Sequence, residues 1–226
     1  SEALILESLI NSESEQFDVV KTLPDDEAFW LYSSGSTGFP KGVKHVHKNL
    51  VCVAETYDKH ILNIQEQDTV YSVAKLFFAY GLGNGMIFPF SVGATSILFD
   101  GRPVPESIIN ILKEHDPTIF YCVPTAYAAL LDAAGIVDLS KTLSRLRTCI
   151  SAGEALPAKI SEEWHDLFDV DIIDGVGSTE MLHIFLSNNQ KDVKYGSSGK
   201  PVPGYEVKLL DEVGNHVACG EIGELF

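Results

Sequence analysis

The four cysteines, Cys52, Cys122, Cys149 and Cys219, stand far apart, and no Cys-x-x-Cys pair occurs. That absence excludes the common zinc and dithiol redox patterns. Histidine offers no substitute. His45 and His47 are two apart and the others are scattered, so no cluster has zinc spacing. Three of the four cysteines lie in apolar runs and read as buried, reduced thiols, which suits a cytoplasmic compartment. No apolar run approaches the ~18 residues of a membrane span, and the start carries no signal-peptide pattern. Positive charge is scarce too, with 16 Lys and Arg against 32 Asp and Glu and a net charge of −16. Neither nucleic acid nor an anionic membrane is therefore an expected partner. There is no Gly-x-Ser-x-Gly elbow, which argues against a serine hydrolase. The glycines of Gly81–Gly85 lack the strand, spacing and later acid of a dinucleotide loop.

The 226 residues are 45% hydrophobic, enough for a substantial core. Loose helical spacing at Leu4, Leu6, Leu9 and Ile10 predicts a helix and tether over residues 1–27. Strand-like segments at 28–33, 69–74, 94–99, 118–123, 146–151 and 170–174 then alternate with helical ones at 47–62, 81–91, 105–115, 124–134 and 157–168. Pro117 ends one helix, and Pro124 and Pro157 each suit a first helical turn. Such alternation implies an α/β fold, a mostly parallel sheet flanked by helices, over residues 28–193. Beyond it, glycine, serine and proline cluster. Glu206–Leu210 and Glu221–Phe226 then alternate like antiparallel strands, so 194–226 reads as the start of a small β subdomain.

The most informative segment is Ser33–Gly42, SSGSTGFPKG, directly after an apolar strand. Gly35, Gly38 and Gly42 allow the backbone to approach an anion closely. Ser33, Ser34, Ser36 and Thr37 add hydroxyls and Lys41 adds a mobile positive charge. The set suits a polyphosphate, although it is not the Walker A pattern. A Gly/Ser linker is the plain alternative, and the fixed Pro40-Lys41 after Thr37-Gly38 argues against it.

This loop closely resembles the phosphate loop of the adenylate-forming superfamily of acyl-CoA synthetases, luciferases and adenylation domains. Three further matches follow in the family's order. They are Ser151–Pro157 (SAGEALP), Asp174–Glu180 (DGVGSTE, with Val176 where an aromatic is usual) and Gly196–Gly204 (GSSGKPVPG), with Gly220–Leu225 closing the run. Within the superfamily, Lys75–Asn84 (KLFFAYGLGN) and Gly177–Asn188 (GSTEMLHIFLSN) resemble benzoate-CoA ligases.

The resemblance implies a fragment of an ATP-dependent aryl acid:CoA ligase. Such an enzyme activates a small aromatic carboxylic acid as its adenylate and passes the acyl group to coenzyme A. A carrier-protein-loading adenylation domain and a non-catalytic nucleotide-binding fragment are the alternatives. By resemblance Thr37 and Lys41 hold the β- and γ-phosphates of ATP and Thr179 bonds the α-phosphate. Glu180 helps hold Mg²⁺, unless it is only the first-turn acid of a helix near Ser178. Gly153, Glu154 and Ala155 would flank the adenine, or form an ordinary strand-to-helix turn. Asp174, with Gly175, would face the adenine amino group or cap its loop. The acid pocket falls on Phe78, Ala79, Tyr80, Gly81, Gly177, His183 and Ile184. Ala79, Gly81 and Gly177 would give room for a ring, and Phe78, Tyr80 and Ile184 would give surface. His183 would donate to the carboxylate and offset its charge, or be a structural histidine. The chain ends before the family's ribose-binding aspartate, hinge and late lysine, which leads to the expectation of the middle of a large N-terminal domain.

Overall fold

The computed structural model describes residues 5–34, 38–133 and 136–226. A short helix, α1 (Leu6–Ser12), is exposed throughout. An antiparallel hairpin follows, β1 (Glu27–Ser34) and β2 (Pro40–Val46), with Ser33 opposite Lys41 and Phe29 opposite His45. β3 (Thr69–Ser72), β4 (Thr95–Ile97), β5 (Ile119–Cys122), β6 (Thr148–Ala152) and β7 (Ile172–Gly177) pair in parallel. β8 (Ile184–Ser187) and β9 (Lys200–Pro201) extend the same sheet antiparallel, giving seven strands in the order β4-β3-β5-β6-β7-β8-β9. Among the described residues the last pairing is β10 (Leu209–Leu210) with β11 (Glu224–Leu225), a separate antiparallel sheet.

β5 shows why the sheet is doubly covered. Ile119 and Tyr121 join one buried cluster, with Tyr57, Phe88 and Ile184; Phe120 and Cys122 join a second, with Leu112, Tyr127 and Trp164. Period-two alternation thus feeds two cores, as parallel sheets require. The second core is closed by α5 (Pro105–His115), α6 (Pro124–Leu131) and α8 (Ala158–Phe168). α5 is written into its sequence. Pro105 opens it, Ser107 Oγ accepts from the Val104 N–H at 3.1 Å, and Ile108, Ile109, Ile111 and Leu112 face inward. Asp116 ends it in the left-handed region at φ 40°.

Several elements differ from expectation. The strand at 28–33 pairs with none of the parallel strands, only with β2, which falls where a loop was expected to continue. The 47–62 helix is α2 (His47–Val53) widening into a π-helical stretch, Ala54–Leu62. Likewise 81–91 divides into α3 (Ala79–Leu82), a π-helical Gly83–Ile87 and α4 (Phe88–Val92). A further helix, α7 (Ile136–Ser140), was not anticipated. Only Cys122 and Cys149 are buried; Cys52 and Cys219 are exposed.

One buried acid gives a pH test. Asp58 is 4% exposed and accepts the Ile64 N–H at 3.0 Å. Burial pushes its pKa up to about 6, partly opposed by that amide and by Arg147. The folded value lies above that of the unfolded chain, so the stabilisation is complete below about pH 4 and is lost as pH rises through 6. Asp58→Asn keeps an acceptor and removes the titration. Its stability relative to the parent should improve by about 2–3 kcal/mol between pH 4 and pH 7, read by urea unfolding at both. A constant difference across that range would refute the assignment.

Candidate active site

Walking from β3 to β4 and from β3 to β5 moves in opposite directions across the sheet. That reversal is the kind of point where ligands bind, outside the carboxyl ends of the strands. A cavity of 610 Å³ opens there. Val73 follows β3, Val123 follows β5, Ala152 ends β6 with Gly153 after it, and Gly177 ends β7 with Ser178 and Thr179 after it. Phe78, Ala79 and Tyr80 from the start of α3, with His183 and Ile184 from the start of β8, complete a mostly apolar wall.

The cavity therefore brings together six of the seven residues expected for the acid pocket. Gly81 is the exception. It is buried, and a Cβ there would lie 2.0 Å from the Lys75 carbonyl oxygen, so it serves close backbone packing rather than room for a ligand. Gly177 does line the space, at a bulge in the β7–β8 pairing where bulges commonly re-aim a strand end. Tyr80 is fixed. Its hydroxyl donates to the carbonyls of Cys122 (3.3 Å) and Ile150 (3.2 Å), and its ring stacks on His183 with centroids 5.6 Å apart.

His183 is 2% exposed, ringed by Tyr57, Phe88 and Tyr80, and bonded through Nε2 to Asn84 Oδ1 at 3.0 Å. Burial drops its pKa to about 3. With no ligand bound, burial thus favours the neutral ring, and its Nε2 is already engaged by Asn84. Asp174 and Gly175 are not at the cavity either. Asp174 is 5% exposed, accepts from Ser198 Oγ at 2.9 Å, and is raised by burial to about 6. Gly175 packs under Ile184. Both support β7 from within.

Thr179 and Glu180 sit in a turn, not a helix. Ser178 Oγ accepts from the Met181 N–H at 3.1 Å and the Thr179 carbonyl accepts from the Leu182 N–H at 3.2 Å. Leu182 closes the turn at φ 65°, a conformation disfavoured for a residue with a side chain and held here by full burial. Glu180 is exposed. Gly153 borders the cavity, whereas Glu154 and Ala155 follow it on an exposed stretch.

On the hairpin, Ser33 lies half-buried one residue before the end of β1, Gly38 takes φ 84° with open space around it, and Lys41 is exposed on β2. Gly35, Ser36, Thr37 and the side chain of Ser34 lie outside the described residues.

A family model described as AMP-binding enzyme matches residues 2–226. The chain belongs to the AMP-binding enzyme family. Similar relatives include the benzoate–CoA ligase of Thauera aromatica, 55% identical over 97% of this chain and 42% of the relative. The 4-hydroxybenzoate–CoA/benzoate–CoA ligase of Rhodopseudomonas palustris is 49% identical over 99% of the chain and 41% of the relative. A solved benzoate CoA ligase from Burkholderia xenovorans LB400 superposes with a TM-score of 0.89 at 52% identity, covering 97% of this chain and 43% of that one. The chain thus spans about two-fifths of the length of these relatives.

The cavity also takes in residues to which the sequence motifs gave no role. Val73, Val123 and Ala152 line the cavity because they end parallel strands, a rule that could have found them. Lys75 is the one charged side chain among the described residues that line it. Its Nζ donates to the Phe99 and Gly101 carbonyls and lies over the Phe99 ring, tying down the loop that brings Pro103 to the rim.

Proposed function

We propose that this chain supplies the acid- and ATP-binding part of an aryl acid:CoA ligase of benzoate type. The observation that carries the reading is the rigid, apolar cavity that ends at the Thr179 turn. A planar ring fits between Ala79 and Gly177, with its carboxylate directed to the turn. A carboxylate oxygen attacks the α-phosphorus of ATP, a new P–O bond forms, and the bond to the bridging oxygen breaks as pyrophosphate leaves. The thiolate of coenzyme A then attacks the acyl carbon and AMP departs.

Little covalent work falls to the protein; it aligns two anions and spreads developing charge. The hairpin segment Ser33, Ser34, Gly35, Ser36, Thr37, Gly38 and Lys41 receives the β- and γ-phosphates. Thr179 contacts the α-phosphate, and Gly153, Glu154 and Ala155 pass beside the adenine. No group of three or more potential metal ligands occurs among the described residues. A lone exposed carboxylate, Glu180, suits Mg²⁺, which keeps waters and takes its other ligands from substrate phosphates. When bound, that ion would neutralise phosphate charge. The chain has no helix among the described residues long and apolar enough to cross a membrane.

The test is acid-dependent ATP–pyrophosphate exchange by the full-length gene product. Benzoate and small ring-substituted benzoates should support exchange better than long-chain fatty acids or amino acids. Lys41→Ala should lower it about ten- to hundredfold, corresponding to about 1–3 kcal/mol for a charged hydrogen bond. Preference for a long-chain acid, or unchanged exchange in Lys41→Ala, would refute the reading.

A further inference from the structure

Among the described residues, the hairpin proposed above to hold the β- and γ-phosphates shares no strand pairing with the large sheet. Thr179, which faces the α-phosphate in the same reading, stands at the end of that sheet. Something must fix the two relative to each other to within a fraction of an ångström for in-line displacement. Apolar packing brings them together, with Leu31 and Leu182 in one buried cluster, and one side chain adds a directional link. His45 on β2 is 1% exposed, and its Nε2 bonds the Thr179 carbonyl at 2.9 Å. Among the described residues this is the one hydrogen bond between the hairpin and the Ser178–Leu182 turn.

The partners orient the ring. A carbonyl only accepts, so Nε2 carries the hydrogen and donates. Asn49 Nδ2 lies 3.0 Å from the other ring nitrogen, Nδ1, and holds the ring from that side. Phe29, directly opposite on β1, stacks on the imidazole with centroids 5.2 Å apart and planes at 28°. Orientation and depth are thus set by three neighbours, of which Asn49 and Phe29 bind no ligand in the reading above and Thr179 engages His45 through its main-chain carbonyl.

We propose that His45, held by Asn49, is a positioning residue that sets the distance between the phosphate hairpin and the Thr179–Glu180 turn. It rests on the function proposed above and adds to it a division between the half-reactions. Forming the adenylate needs both phosphate groups aligned. Forming the thioester from a preformed adenylate needs only the α-phosphate side, because pyrophosphate has gone. His45 should matter to the first step and hardly to the second.

The experiment uses the full-length gene product with His45→Leu, His45→Gln and Asn49→Leu. Single-turnover adenylate formation from MgATP and benzoate is measured, and separately thioester formation from supplied benzoyl-adenylate and coenzyme A. His45→Leu should slow the first step at least tenfold, with a change under twofold in the second and in the KM for benzoate. His45→Gln, whose amide can donate to the same carbonyl, should recover most of the loss. Asn49→Leu, which frees the ring to turn, should fall between them. A merely structural histidine would depress both half-reactions together, and that outcome overturns the proposal. So does an unchanged adenylation rate in His45→Leu, or failure of the glutamine to rescue. Absence of acid-dependent exchange in the unaltered protein would overturn the function reading itself and this role with it.

Discussion

Gly81→Ala is expected to destabilise the fold by about 3 kcal/mol or more, at the upper end of what an inserted methyl costs in a packed interior. An added Cβ would sit 2.0 Å from the Lys75 carbonyl oxygen and 2.6 Å from that of Ala74, distances no rotamer can relieve. The opposing backbone is not free to retreat. The Lys75 carbonyl accepts the Phe78 N–H at 3.1 Å, and the Lys75 side chain is anchored on the Phe99 and Gly101 carbonyls. Moving it would shift Phe78, Ala79 and Tyr80 together, and with them the cavity wall. At about 2–4 °C per kcal/mol for a chain of this size, the midpoint should fall by roughly 6–12 °C. Thermal unfolding of parent and variant checks this. If Gly81 merely left space for a ligand, the variant would melt with the parent and change only the choice of acid.

Gly81 also shows where sequence stopped being informative. Its neighbourhood in a motif marks it as important, but nothing local says whether a glycine faces a ligand or a carbonyl six residues upstream. The alternation of strands and helices from β3 to β7 was legible because each element carries its own periodicity and proline or cap signals. The partner of β1 was not. The pairing with Pro40–Val46 is a local hairpin, but its connection is the glycine- and serine-rich stretch read as a loop, and the alternation in β2 is broken by Pro40 and Gly42. That Thr179 would border a cavity was legible, because the residues after a parallel strand's carboxyl end are a ligand-binding place by topology. The charge state of His183 was not, since it is set by Tyr57, Tyr80 and Phe88, which come from three other parts of the chain. His45 and Asn49 escaped for the same reason. Their spacing on the chain is unremarkable, and their meaning lies in a carbonyl 134 residues from His45.

Ala79→Leu should close the acid pocket while leaving the fold nearly intact. Ala79 stands at the start of α3, half-buried, with its side chain on the 610 Å³ cavity across from Gly177 and Ile184. A leucine adds three carbons, and the walls cannot give way to accept them elsewhere. Tyr80 is held by two main-chain carbonyls and by His183, and His183 is in turn held by Asn84 and packed edge-on against Phe88. The added carbons must therefore occupy the volume assigned to the aromatic ring. The open cavity spares the variant the strain that Gly81→Ala suffers, so the melting midpoint should stay within a few degrees of the parent's. Benzoate should pay the whole cost, with kcat/KM in acid-dependent exchange falling about a hundredfold, equivalent to about 3 kcal/mol. The KM for ATP should hold, because the hairpin and the Thr179 turn are untouched. A short aliphatic acid, which needs less depth, should lose far less, so the ratio of benzoate to propionate activity inverts or collapses. Exchange assays of both acids with the full-length gene product decide it. Undiminished use of benzoate by the leucine variant would mean that the ring lies somewhere other than against Ala79.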